Sequence, residues 1–485
     1  MEQASLSLAY LLCLLVASVV LLLLLILKLR MQAFLALILA SLFVALGSSK
    51  ELTGGAGTLE LTQIGEQIQA GMGSSLGFIA TIIGLGAIFG SLLEHSGGAQ
   101  SLAKSLLKIF GEKRASWAMV MTGFIISIPV FLDVALVILA PILYALSQKT
   151  GKSVLAFGLP LLAGLMVTHA FVPPTPGPVW VAYVLGVSLG WVILFGCLVG
   201  LPTAIIGGIV VPRRMARNLY IAPPEEFDEG HSDDDDQPLP SFVSILLLIG
   251  LPIALILVRT IVKEFVTSGI DIGLDRSSYA AAVSAEISKS GISLKFLYFV
   301  GHPIIALVIA TVLALVYLGY SRGYDKSELM TVTTKSLGPA GIIILITGAG
   351  GVFKGVMLAS GVSDALRDAC EGWGIPILVL AYVFAVFVRV AQGSATIAMV
   401  TAAGLMTSMS EGLSQPQLAL VVIAIAAGAS AVSHVNDSGF WMVSRYMLMT
   451  EKQTFQTWTV ISTVVSVVGF LLTWLLWCLL PFLPF

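Results

Sequence analysis

Charged side chains are scarce in this 485-residue sequence. Asp, Glu, Lys and Arg make up 11% of it, against about 25% in soluble globular domains. That shortage excludes an ordinary water-soluble fold. The five histidines form no HExxH pair, so an intramembrane zinc protease has no ligand set. Cys13, Cys197, Cys370 and Cys478 are scattered, with neither metal nor disulfide spacing. No phosphate-cradling glycine loop of the GxxxxGK[ST] type occurs, which leaves ATP-driven pumping without support. No basic tract offers a footprint for nucleic acid, and the net charge is −2. The alternating pattern of a membrane β-barrel is also missing.

What is present is apolar: 57% hydrophobic residues and a mean hydropathy of +0.99. Runs long enough to cross a bilayer as helices recur near 6–27, 32–47, 75–93, 116–146, 154–187, 191–212, 241–262, 296–318, 339–360, 376–409, 417–449 and 456–482. The expectation is an all-α polytopic membrane protein. The first run is too long for a signal-peptide core and lacks a basic leader, so it reads as a retained helix. The proline-flanked acidic stretch 223–240, with aspartates at 233–236, reads as a solvated linker. The polar stretch 263–295 reads as an outer loop.

Orientation follows from Lys and Arg in short loops. Lys28 and Arg30, Lys104 to Arg114, Lys149 and Lys152, Arg213 to Arg217, Arg322 to Lys335, and Arg445 with Lys452 can all lie in the cytoplasm together. Both termini then lie outside a plasma membrane. The segment 116–146 becomes a hairpin entering and leaving on the cytoplasmic side, and 376–409 one that opens outward. The segments 154–187 and 417–449 carry proline or polar clusters and are expected to be broken helices.

Residues 84–98 and 348–362 match at an offset of 264, with Gly84, Gly86, Phe89, Ser96 and Gly97 falling on Gly348, Gly350, Phe353, Ser360 and Gly361. Near that offset "SIPVFLD" (127–133) faces "VAQGSAT" (390–396), and Thr168–His169 faces Ser433–His434. The loop charges orient the two copies oppositely. The expected organisation is an N-terminal repeat at 1–212, an acidic cytoplasmic linker at 213–240 and an inverted repeat at 241–485. Each repeat has a re-entrant hairpin and an unwound helix, the plan of many secondary transporters.

The breaks carry the candidate chemistry. Asp133 follows Pro129 at the first hairpin tip. An ionised Asp at mid-membrane costs about 3 kcal/mol, so it should face the bundle interior as a coupling group, or cap the returning helix. Four prolines at 173–178 free carbonyls beside Thr175. His169 just before them either titrates or forms a helix–helix hydrogen bond. Gln392, Gly393, Ser394 and Thr396 begin a half-helix whose N–H groups suit a carboxylate, with Ser394 also an ordinary N-cap. Arg389 either meets an anionic substrate or locks onto Asp133 or Asp437. Glu94 and Lys354 sit in the repeated helices, and Glu94 can simply snorkel. The stretch "SHVNDSG" adds His434, Asn436, Asp437 and Ser438. Ser433 and His434 are adjacent and point about 100° apart on a helix, poor geometry for a hydrolase pair. An enzyme is thus a weak second class, and a passive channel a third.

The motifs "LEHSGGAQSLA" (93–103), "FLDVALVILAPI" (131–142), "HAFVPPTPGP" (169–178), "RVAQGSATIA" (389–398) and "SHVNDSGFW" (433–441) resemble the gluconate permease (gluconate:proton symporter) family of the ion-transporter superfamily. The resemblance covers nearly the whole chain. It implies proton-coupled symport of gluconate or a related small hydroxy-monocarboxylate, an elevator-type motion and a homodimer. A sodium-coupled carboxylate carrier or a D-serine-type carrier is the alternative within it. No cofactor or metal is implied, and the partners are a small anionic substrate and the lipid bilayer. Thr175, Gln392, Gly393, Ser394, Thr396, Arg389, Asn436 and Ser438 are the expected substrate contacts. Asp133, Asp437, His169, His434 and Glu94 are the coupling candidates. Thr175 departs from the family's "PPHPGP", replacing a titratable side chain with a hydroxyl. The aspartate-rich loop is a second departure.

Overall fold

The computed structural model describes residues 6–224, 238–267, 276–373 and 375–482. The aspartates at 233–236 and residues 268–275 of the expected outer loop lie outside the described residues. Helices dominate, and the described residues contain no strand beyond a lone bridge between Ser49 and Leu59. The first half runs α1 (Leu8–Leu27), α2 (Ala33–Gly47), α3 (Ile64–His95), α4 (Gly98–Phe110), α5 (Ala115–Ile126), α6 (Leu132–Thr150), α7 (Leu155–Phe171), α8 (Pro176–Leu185), α9 (Leu189–Ile205) and α10 (Val211–Asn218). The second runs α11 (Phe242–Thr267), α12 (Arg276–Lys289), α13 (Ile292–Val300), α14 (Pro303–Ala314), α15 (Lys326–Ala359), α16 (Val362–Trp373), α17 (Ile377–Gln392), α18 (Ala395–Leu405), α19 (Gln415–Ala429), α20 (Ser438–Tyr446), α21 (Glu451–Thr454) and α22 (Val460–Leu479).

Nine helical stretches among the described residues are long and apolar enough to cross a membrane, and α2, α17, α18 and α19 are shorter apolar helices. The protein is therefore a polytopic helical membrane protein. Starts are set by local chemistry. Asp325 caps α15 by accepting from Glu328 N at 2.7 Å, and Ser414 with Gln417 forms a capping box on α19. The long helices α3 and α15 pack on each other through small residues. A side chain added at Gly351 would lie 2.0 Å from Ser75 Oγ, so the backbones approach closely where only glycine fits.

Four interruptions fall inside the four segments with disrupted patterns. They are 127–131 between α5 and α6, 172–175 between α7 and α8, 393–394 between α17 and α18, and 430–437 between α19 and α20. Pro129, the 173–178 prolines, Gly393 and the polar run at 433–437 stop each helix where a continuous apolar run would have carried it on. The helices on either side pack across the molecule: α8 lies against α18, and α20 against α6.

Three regions differ from the sequence expectation. The helix α4 fills a stretch between expected spans, burying Leu102, Ala103 and Leu106 while exposing Lys104 and Lys108. Its amphipathic period is too short and too charged to register as a span. The stretch 263–295 contains α12, whose alanine run favours a helix. The span expected at 296–318 is two helices. Pro303 lacks an amide donor and holds His302 extended, at φ −60° and ψ 129°, between α13 and α14.

Candidate functional site

The 393–394 turn and the 430–437 break face each other. Gly393 turns with φ +78°, and a Cβ there would lie 2.3 Å from the backbone oxygen of Asn436. Asn436 Nδ2 donates to Val390 O at 2.9 Å and Ala391 O at 3.2 Å, and His434 Nε2 donates to Val390 O at 2.9 Å. The side chains of the break thereby occupy the carbonyls released at the end of α17. Three polar atoms remain buried here without a protein partner: both amide atoms of Gln392 and the Oδ1 of Asn436. Gln392 is 7% exposed. Burying such groups unpaired costs about 1–3 kcal/mol each, so their presence marks a place built for something other than stability.

Ser394 caps α18 by accepting from Ile397 N, and Thr396 sits half-buried in the first turn. The start of α8 lies nearby, because a Cβ at Gly177 would meet Met399 Sδ at 2.4 Å. The two helix starts differ chemically. The first three residues of α8 include Pro176 and Pro178, which have no N–H, whereas the first turn of α18 is Ala395, Thr396 and Ile397. Only α18 presents a full set of amides.

Arg389 and Asp437 meet one another. Arg389 Nη2 lies 2.5 Å from Asp437 Oδ2, with the side chains 4% and 12% exposed. The guanidinium also donates to Gly393 O through Nη1 and to Ala431 O through Nε at 3.3 Å. Asp437 caps α20 through Gly439 N at 2.9 Å and accepts from Ser433 Oγ. Ser438 is exposed at the start of α20. Ser433 and His434 make no pair: the serine hydroxyl goes to Asp437 and the imidazole to Val390 O.

In the first half, a cavity of about 20 Å³ lies between α3, the 128–131 tip and residues 174–176. It has room for about one water rather than a sugar acid. Thr175 Oγ1 donates to Val172 O at 2.7 Å, which leaves its lone pairs but not its proton for a ligand. Asp133 lies in the first turn of α6, exposed; Phe131 occupies the N-cap position and no side chain caps the helix, so Asp133 is not the cap. Phe131 stands edge-on to His169 at 6.1 Å, and His169 Nδ1 is buried without a protein partner. Thr122, Ser127 and Thr168 also have buried hydroxyls without one. Lys354 reaches Val184 O at 3.3 Å, against the carbonyl end of α8.

Residues 10–480 match the GntP family permease description. The chain belongs to the GntP permease family. It is 36% identical to the low-affinity gluconate transporter of Escherichia coli K12, over 94% of this chain and 95% of that one. It is 35% identical to the gluconate permease of Pseudomonas aeruginosa (95% and 96% covered) and 33% to the Gnt-II system L-idonate transporter of E. coli K12 (94% and 96%). These relatives are named as transporters and permeases, so the family is one of carriers rather than enzymes. The fold resembles the Alcanivorax borkumensis YdaH transporter, at a TM-score of 0.59 and 15% identity over 91% of this chain and 96% of that one.

In this permease, sequence reasoning missed the partners of Ser433. Trp458 Nε1 donates to Ser433 Oγ at 2.7 Å, Thr459 Oγ1 to Ser433 O at 2.5 Å, and Ser433 N to Ser462 Oγ at 3.0 Å. Three ordinary residues of an apolar helix hold every polar atom of one serine. Only the polar spacing Trp458, Thr459, Ser462 hinted at a shared face.

Proposed function

We propose that the protein is a secondary transporter for the uptake of gluconate or a related small hydroxy-monocarboxylate, coupled to protons. The observation that carries the substrate class is the unpartnered trio of Gln392 Nε2, Gln392 Oε1 and Asn436 Oδ1 at the 393–394 turn. It offers one donor and two acceptors, a match for hydroxyls that both donate and accept. The substrate's carboxylate meets the amides of Ala395 and Thr396 at the start of α18, where the helix dipole favours an anion. Ser394, Thr396, Ser438 and the acceptor side of Thr175 complete the hydroxyl contacts. The names of the relatives support gluconate as the first substrate to test.

Proton coupling is assigned to Asp133. Asp437 is the weaker candidate, because Arg389, Ser433 and the Gly439 amide already surround its carboxylate. His434 is held by Val390 O. Asp133 is exposed in the first turn of α6, two residues from Phe131, whose ring stands edge-on to His169. The tip carrying Asp133 also lines the first-half cavity beside Thr175.

An inverted-repeat plan is supported by reciprocal packing. The helix α2 of the first half lies on α15 of the second, and α14 of the second lies on α3 of the first. The pairs α8–α18 and α20–α6 exchange in the same way. Swapping halves maps each pair onto the other. Elevator motion of the broken segments, both termini outside, and a homodimer complete the proposal.

The test is uptake of labelled gluconate into proteoliposomes. An inward proton gradient should drive accumulation and a protonophore should collapse it. Accumulation driven by sodium alone would replace proton with sodium coupling, and uptake that never exceeds equilibrium would indicate a channel.

A further inference from the structure

We propose that Trp458, Ser433, Asp437 and Arg389 form a positioning relay that sets the 393–394 turn in register with the 430–437 break, and that neither charge touches substrate or coupling ion. The relay is continuous. Trp458 Nε1 donates to Ser433 Oγ, Ser433 Oγ donates to Asp437 Oδ2, and Arg389 Nη2 donates to the same oxygen. Arg389 then reaches across to Gly393 O and Ala431 O. It therefore ties the stretch just before α22 to the hairpin turn through the unwound segment, using residues remote in sequence.

Three features favour positioning over ligand binding. The charges neutralise each other in a site where the arginine is 4% and the aspartate 12% exposed. Each nitrogen of the guanidinium donates one hydrogen bond, three in all, to two backbone oxygens and the carboxylate, and Asp437 receives donors from three directions. The neighbouring Gln392 and Asn436 retain free polar atoms, whereas the two charges do not. A buried pair of this kind is a poor source of net stability and a good source of geometric specificity, because either partner alone is an uncompensated charge. The relay rests on the reading that Gln392 and Asn436 hold the substrate, since that is the geometry it would set.

The experiment compares Asp437→Asn, Arg389→Met and the double variant in proteoliposomes. Each single variant leaves one buried charge unpaired and should slow gluconate uptake at least about tenfold. The double variant should exceed either single by about threefold or more, with proton-driven accumulation retained, because paired residues couple non-additively. A double variant no better than the worse single, or one that equilibrates without accumulating, overturns the proposal by giving Asp437 a direct role. Trp458→Phe guards against simple misfolding, since it keeps an aromatic ring at this buried position while removing the five-membered part of the indole with its Nε1–H. It should raise the KM about threefold or more at near-normal maximal rate. It should also increase hydrogen–deuterium exchange at 394–397, although Trp458 contacts Ser433 and not the turn. Unchanged KM and exchange sink the relay, as would a purely structural loss of folded protein with normal KM. The exchange measurement needs no substrate. If the wild-type protein ignores gluconate, the substrate assignment fails while the relay is still decided.

Discussion

Gly393→Ala separates backbone strain from site geometry. Alanine in the left-handed region costs roughly 1–2 kcal/mol. Its Cβ would also lie 2.3 Å from Asn436 O, where ordinary contact begins near 3.4 Å. The obstacle is backbone rather than a flexible side chain, so the turn and the break must part by about 1 Å. The Asn436 bonds to Val390 O and Ala391 O, at 2.9 and 3.2 Å, then pass out of range. Each is worth about 1 kcal/mol net, which brings the total to about 3–4 kcal/mol. The same displacement pulls Gln392 away from Asn436. Losing one or two substrate hydrogen bonds should raise the KM for gluconate about five- to a hundredfold. Gly412→Ala is the control, with φ +77° and nothing within 4 Å. It carries the strain without the collision, so it should lower the Tm modestly and leave the KM alone. Both variants are measured by transport kinetics and by thermal unfolding in detergent. A wild-type KM in Gly393→Ala, or an equal KM shift in Gly412→Ala, refutes the claim that the register of turn and break defines the site.

Gln392→Leu removes two buried amide atoms that have no protein partner. It should raise the KM at least about tenfold while leaving the Tm equal or higher, and a lowered Tm with normal KM would make Gln392 structural. Asp133→Asn should abolish concentrative uptake and spare exchange of internal for external gluconate; retained accumulation removes Asp133 from coupling. Lys354→Met removes a cation from the carbonyl end of α8. It should lower the Tm with little change in KM, since the loss is of helix-end support worth about 0.3–1 kcal/mol, and a large KM increase would place Lys354 at the substrate.

The four breaks were legible because their causes are local. Pro129, the 173–178 prolines, Gly393 and the run from Ser433 to Asp437 each interrupt an apolar stretch by their own chemistry, and the structure interrupts a helix at each. The membrane class was legible from composition alone. Amphipathic helices such as α4 were not, because a short helix with Lys104 and Lys108 on one face looks like a charged loop to a test for spans. The Arg389–Asp437 pair was one of several possibilities in the sequence, since 48 residues separate the two and only packing chooses between Asp133 and Asp437. The orphaned amide of Gln392 was invisible in the same way, because a glutamine's lack of partners is a property of its neighbours.

The two halves repeat a pattern of breaks with different chemistry, and that difference bears on how a hydroxy acid is oriented. At the first unwound segment, prolines delete amides at the start of α8, while Thr175 gives its proton to Val172 O. This side therefore offers acceptors and the exposed carboxyl group of Asp133. At the second, the start of α18 keeps its amides, and Gln392 adds a donor next to the Asn436 acceptor. An anion is repelled by the first set and drawn to the second. A substrate lying between them should thus hold its carboxylate toward α18 and its hydroxyl tail toward the proline segment. If Asp133 is the coupling group, as proposed, its protonation would remove a negative charge from the tail side, and the loaded carrier would be easier to assemble with the proton aboard than without it. Coupling of that kind would require no contact between proton and carboxylate, only an electrostatic interaction between them.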